Sequence, residues 1–160
     1  MFKHAWALLL VVVLSLILAL AGCATLFGPT GGGTPAEIEK EIFKLVNDYR
    51  RGQGLSDMVW NDAIADAARE HSRDMAAGTV PFGHDGYSDR WARLGQVLPW
   101  QSIAEVVATS GSAADAVNAW IASPDHQQHL VGEYTLTGVG VAKPDSGGSF
   151  YATQIFVKPQ

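Results

Sequence analysis

Apolar residues recur at helical spacing from residue 38 onward. Ile38, Ile42, Leu45, Val46 and Tyr49 form one stripe along an otherwise polar segment. Thr34 and Glu37 stand ahead of it at capping-box spacing, with Pro35 at the first helical position. The glycines of "RRGQG" end this helix. Asn61 reads as the N-cap of a second helix in which Ile64, Ala67, Ala68, His71 and Met75 share a face, and Gly78 stops it. His71 therefore lies on the buried side, where a hydrogen-bonded core histidine is the plainer reading. "SDRWARLG" predicts a short third helix capped by Ser88, with Tyr87, Trp91 and Leu94 on one side. "SAADAVNAWIA" predicts a fourth, with Ser112 and Asp115 spaced as a capping box and Ala113, Val117, Trp120 and Ile121 toward the core. Pro124 interrupts it, and "SPDHQQHL" restarts as a short helix with Ser123 as N-cap.

The period changes to two in "QSIAEVVAT", where Ile103, Glu105 and Val107 point to one side of a strand. The segment "TLTGVGVAKPDSGGSFYATQIFVKP" predicts two strands joined by a "KPDSGG" turn. Gly138 and Gly140 alternate with Val139 and Val141, so one face of the first strand is bare backbone onto which another element can pack closely. Helices around a small, mostly antiparallel sheet predict a layered α+β domain.

The first residues follow a different pattern. Met1 to Trp6 carries Lys3, and "ALLLVVVLSLILALA", residues 7–21, has no charge. A charged start, an apolar run and small residues at its end describe a signal sequence over residues 1–22. The run is short for a permanent span. "LAGC" resembles the lipobox of bacterial lipoproteins, which makes Cys23 the lipid-attachment residue; a plain signal or anchor is the alternative. Cys23 is the chain's single cysteine, so no internal disulfide forms. Residues 23–34 are glycine-rich and uncharged and read as a tether, leaving 35–160 as the domain. Losing Lys3 with the leader leaves 10 basic residues against 16 acidic, a balance of −6. Such a domain is a poor partner for nucleic acid, and its expected membrane contact is the lipid on Cys23.

Three residues carry candidate chemistry. Glu105 lies among Ile103 and Val107, where a carboxylate is costly unless it is paired, protonated or metal-bound, or the face is exposed at the sheet edge. His84 sits in the glycine-flanked loop "FGHDG", with Asp85 beside it as a hydrogen-bond acceptor that could fix its tautomer. His126 falls in the first turn of the short helix, where the positive helix end favours the neutral imidazole that a metal or a proton donor can use. His129 reads as a solvated neighbour of Leu130, and the sequence does not place Asp125. No G-x-S-x-G, H-E-x-x-H, P-loop or dinucleotide fingerprint is present.

Taken in order, "LVNDYRRGQGL", "AAREHSRDMA", "FGHDG", "AEVV", "AVNAWIASPDHQQHL", "TGVGVA" and "YATQIF" resemble the bacterial branch of the CAP superfamily. These are the cysteine-rich secretory, antigen 5 and pathogenesis-related 1 proteins, also called SCP domains. The resemblance runs from about Glu37 to Val157. It implies a three-layer α-β-α sandwich with a small, mostly antiparallel central sheet. It also implies a central cavity lined by two histidines and acidic residues that holds a divalent metal in some members. His84, Glu105 and His126 match the two histidines and the glutamate. Val106 replaces the usual asparagine, and the second acidic position falls near Ser123. The three residues would permit one metal ion, Zn²⁺ rather than Ca²⁺, with an open position. The implied function is a binding module for an extracytoplasmic ligand or protein, anchored at the cell membrane or outer membrane. A metal-assisted, protease-like hydrolase and a purely structural His–Glu–His cluster are the alternatives.

Overall fold

The computed structural model describes residues 33–160. The expected signal sequence, Cys23 and all but the end of the tether lie outside the described residues. Helix α1, Pro35–Gly52, starts on the expected capping box: the Thr34 hydroxyl accepts from the Glu37 N–H, and the Glu37 carboxylate accepts from the Thr34 N–H at 2.8 Å. Strand β1 is only Val59–Trp60, too short for a period to show in sequence. Helix α2, Asp62–Ala77, is capped by Asn61 and closed by Gly78 in the left-handed conformation, φ 71°. Helix α3, Tyr87–Val97, departs from expectation. Its N-cap is Gly86, at φ 72°, and Ser88 lies inside the first turn. The Asp85–Gly86 step enters the helix through a conformation that glycine adopts without strain, so no side-chain cap is made there.

Strand β2, Trp100–Ser110, is followed by α4, Ala113–Ala122. The Ser112 hydroxyl caps α4, while the Ser112 N–H goes to the Ser110 hydroxyl and leaves the capping box half-made. Helix α5, Pro124–Leu130, begins with Pro124 as expected, but the Ser123 side chain makes no cap bond. Strands β3, Leu136–Ala142, and β4, Phe150–Pro159, complete a four-stranded sheet in the order β1-β3-β4-β2. Among the described strands, only the β1–β3 pairing is parallel.

Helices α1, α4 and α5 cover one face of the sheet. There Ile42, Val46, Val106, Trp120, Leu130, Val139 and Phe156 form the larger core. Helices α2 and α3 cover the other, around Ile64, Ala68, Leu94, Ile155 and Val157. The chain is thus an α+β, three-layer α-β-α sandwich. The bare face of β3 meets α2: a β-carbon on Gly138 would lie 2.2 Å from the Ala65 backbone nitrogen.

Two polar residues of "LVNDYRRGQGL" serve this frame. Asn47 is buried, and its amide donates to the Met58 carbonyl at 3.0 Å and accepts from the Met58 N–H at 2.9 Å. Buried Arg50 donates to the carbonyls of Ser56, Leu130 and Gly132 and so ties α1 to the loop after α5. Asn47→Ala strands both Met58 backbone groups in the core. It should cost about 2 kcal/mol, read as a lowered melting temperature with an unchanged spectrum of the folded state.

Candidate functional site

Glu105 stands on the face of β2 that looks toward α2 and α3, one strand position from Ala104 and Val106 on the opposite face. Its side chain is 1% exposed. A carboxylate that deep requires a partner. Arg90 of α3, 5% exposed, supplies it: Nε donates to Oε2 and Nη2 to Oε1, both at 2.8 Å. This two-point fork is the strong geometry for a guanidinium on a carboxylate. The remaining guanidinium nitrogen, Nη1, donates to the Asp85 carbonyl at 3.3 Å.

His84 completes the cluster, with Nδ1 at 3.0 Å from Glu105 Oε1. A carboxylate so bound only accepts, so Nδ1 carries the proton and Nε2 is left to meet a ligand. The partner that sets the ring is thus Glu105. Asp85 instead contributes its backbone carbonyl to Arg90. The His84 side chain is 46% exposed, so the cluster runs from the core to the surface. Buried His71 supports it from α2, donating from Nε2 to the Gly83 carbonyl at 2.8 Å and pinning the loop that carries His84. It stands 4.0 Å from Glu105 Oε1, beyond hydrogen-bond reach.

Above Glu105 lies a cavity of about 290 Å³, walled by Tyr87, Trp91 and Ile103 and closed on its polar side by His84 and His129. Tyr87 and Trp91 meet edge to face, and Trp91 meets Trp100 in the same way. Of the residues singled out in sequence, His84 and Glu105 come together. His126 is half-buried on α5 and does not line the cavity; His129, read as solvated, does. Arg90 is the residue that sequence reasoning missed. A signal for it exists: Tyr87, Trp91 and Leu94 share a helical face, and Arg90 falls within it.

His129 gives the site a pH-dependent element. Burial first, then repulsion from His126 and His84, holds its pKa below the ordinary imidazole range, with Asp125 opposing. The unfolded chain therefore binds this proton more readily. Stability from His129 is present above about pH 6.5 and is lost as pH falls through that value toward the lower folded one. In His129→Gln the urea midpoint should depend less on pH below about 6.5 than in the parent. An unchanged slope would place His129 in water.

Among the described residues, no three His, Cys, Asp or Glu side chains are grouped to hold a metal ion. The reason is local. Both Glu105 oxygens are engaged by Arg90, and a divalent cation there would stand against the guanidinium charge. His84, Glu105 and His126, as arranged, do not fit a divalent metal.

The family model described as the cysteine-rich secretory protein family, CAP, matches residues 43–156. The uncharacterized membrane protein YlbC of Bacillus subtilis (strain 168) is 33% identical over 129 residues, which are 75% of this chain and 34% of YlbC. The chain thus spans about a third of that relative. Among solved structures, an outer surface protein from Borrelia burgdorferi aligns with a TM-score of 0.71 and 18% identity, over 80% of this chain and 97% of that one. An extracellular SCP-domain protein from Bacillus anthracis str. Ames aligns with a TM-score of 0.64 and 29% identity, over 81% of this chain and 45% of that one. The layered fold, the ordered motifs and the match over most of the domain agree: the chain belongs to the cysteine-rich secretory protein (CAP) family.

Proposed function

We propose that this protein is a binding module that works outside the cytoplasm, held to a membrane through Cys23, and that its ligand enters the cavity above Glu105. The observation that carries the reading is the build of that cavity. An aromatic wall of Tyr87 and Trp91 faces two imidazoles, one of them fixed from below by a buried ion pair. Fixed polar groups beside an apolar wall are the general form of a ligand site. The volume of about 290 Å³ is small for such sites, and suits a single ring or one side chain of a protein partner. A hydrogen-bond donor on that ring would meet Nε2 of His84.

The location rests on the signal-like start of the chain and on two relatives described as a membrane protein and an extracellular protein. Metal-assisted hydrolysis would need a cation on Glu105, where Arg90 lies. The test is a screen of small ring-bearing alcohols and phenols, read by backbone amide and indole shifts. Binding should move Tyr87, Trp91 and His84 and be lost in Trp91→Ala. Binding that leaves these signals still, or hydrolytic turnover lost with His84→Ala, would overturn the reading.

A further inference from the structure

We infer that Arg90 takes the place a bound cation would hold on Glu105, and thereby makes this cavity a metal-free site with a preset His84. The inference stands on the ion pair and goes beyond the binding reading. A carboxylate offers about four acceptor positions. Here Oε1 takes Arg90 Nη2 and His84 Nδ1, and Oε2 takes Arg90 Nε. A metal at the fourth, on Oε2, would stand against the guanidinium charge of Arg90, which α3 holds in place through buried Leu94 and which also bonds the Asp85 carbonyl. The His71 nitrogen nearest Glu105, Nε2, donates its proton to the Gly83 carbonyl and so offers no lone pair toward Glu105.

Arg90 thus acts through Glu105. It holds the carboxylate, the carboxylate holds Nδ1–H of His84, and Nε2 is the nitrogen presented. A carboxylate orients a catalytic histidine in the same way, without itself moving a proton. Arg90 is a positioning residue and does not itself line the cavity.

The experiment uses the full chain, purified in detergent without chelator, with Zn²⁺ as the probe. Calorimetric titration of the parent should show no saturable uptake. Arg90→Met leaves Glu105 buried without a cation and should bind Zn²⁺ at least about a hundredfold more tightly than the parent. Arg90→Lys restores the charge and should again exclude the ion. Should Arg90→Met fold poorly, Zn²⁺ should raise its melting temperature and leave that of the parent unchanged. A purely structural Arg90 would lower stability in the variant without creating metal affinity. Stoichiometric Zn²⁺ in the parent would overturn the inference, as would an Arg90→Met protein with neither gain in Zn²⁺ affinity nor stabilisation by the ion.

Discussion

Gly140→Ala is expected to destabilise the domain by about 3 kcal/mol or more, at or beyond the upper end of ordinary overpacking. A β-carbon at this position would lie 2.1 Å from the Arg69 backbone nitrogen and 2.2 Å from the Ala68 carbonyl carbon. These are backbone atoms in the middle of α2, so no rotamer change relieves the clash. The helix would have to lift off β3 as a body. It is also tied down there, since the Ser72 hydroxyl donates to the Gly140 carbonyl at 2.8 Å and sits 2.9 Å from the Thr153 hydroxyl. Lifting α2 would move His71, and with it the loop that carries His84. Urea unfolding should show a midpoint lowered by roughly 1–3 M, or a protein that does not fold. A midpoint within error of the parent would mean that α2 and β3 are further apart than described.

Glu39→Ala should cost about 3 kcal/mol, as breaking a buried ion pair does. Glu39 projects from α1, with a side chain 4% exposed, to the edge of β3 that β1 does not reach. Its Oε1 accepts the Val141 N–H at 3.1 Å, a donor with no strand beside it there among the described residues. Arg69 crosses from α2 and closes on the same carboxylate at 2.7 Å, so one side chain joins both helical layers at an open sheet edge. Arg69 is a third exposed and can turn to water, whereas the Val141 N–H cannot. Glu39→Gln keeps an acceptor for Val141 and should lose less. A loss below about 1 kcal/mol in Glu39→Ala would reduce the clasp to an ordinary surface pair.

How much of this is legible in the sequence depends on the range of the interaction behind each feature. The Thr34–Glu37 cap and the Asn61 cap are contacts within one turn, and both stand where their spacing puts them. The bare glycine face of β3 is equally plain, because alternation alone shows that two side chains are missing. The two-residue strand β1 exists only through its pairing with β3, which no local pattern reports. Ser88 reads as a cap because hydroxyl residues often are, but the loop arrives earlier, through Gly86.

In the site, Glu105 is readable as a carboxylate needing a partner. Histidines are the obvious candidates in sequence, and the cation on the apolar face of α3 is the complementary signal. His126 and His129 cannot be told apart locally. They lie three residues apart on a seven-residue helix, nearly on one face. What turns that helix is tertiary: the burial of Leu130 and the 2.7 Å bond from the Gln127 amide to the Tyr49 hydroxyl.

Arg90 holds Glu105, and Glu105 holds His84; the rest of the site depends on that chain of contacts. Its most direct test is the ¹⁵N spectrum of the His84 imidazole in the parent protein near neutral pH. A proton is expected on Nδ1, seen as a one-bond N–H correlation protected from exchange by its bond to Glu105. The ring should also be unperturbed on adding Zn²⁺. A proton found on Nε2 instead, or a ring shifted by bound metal at Nδ1, would contradict the assignment.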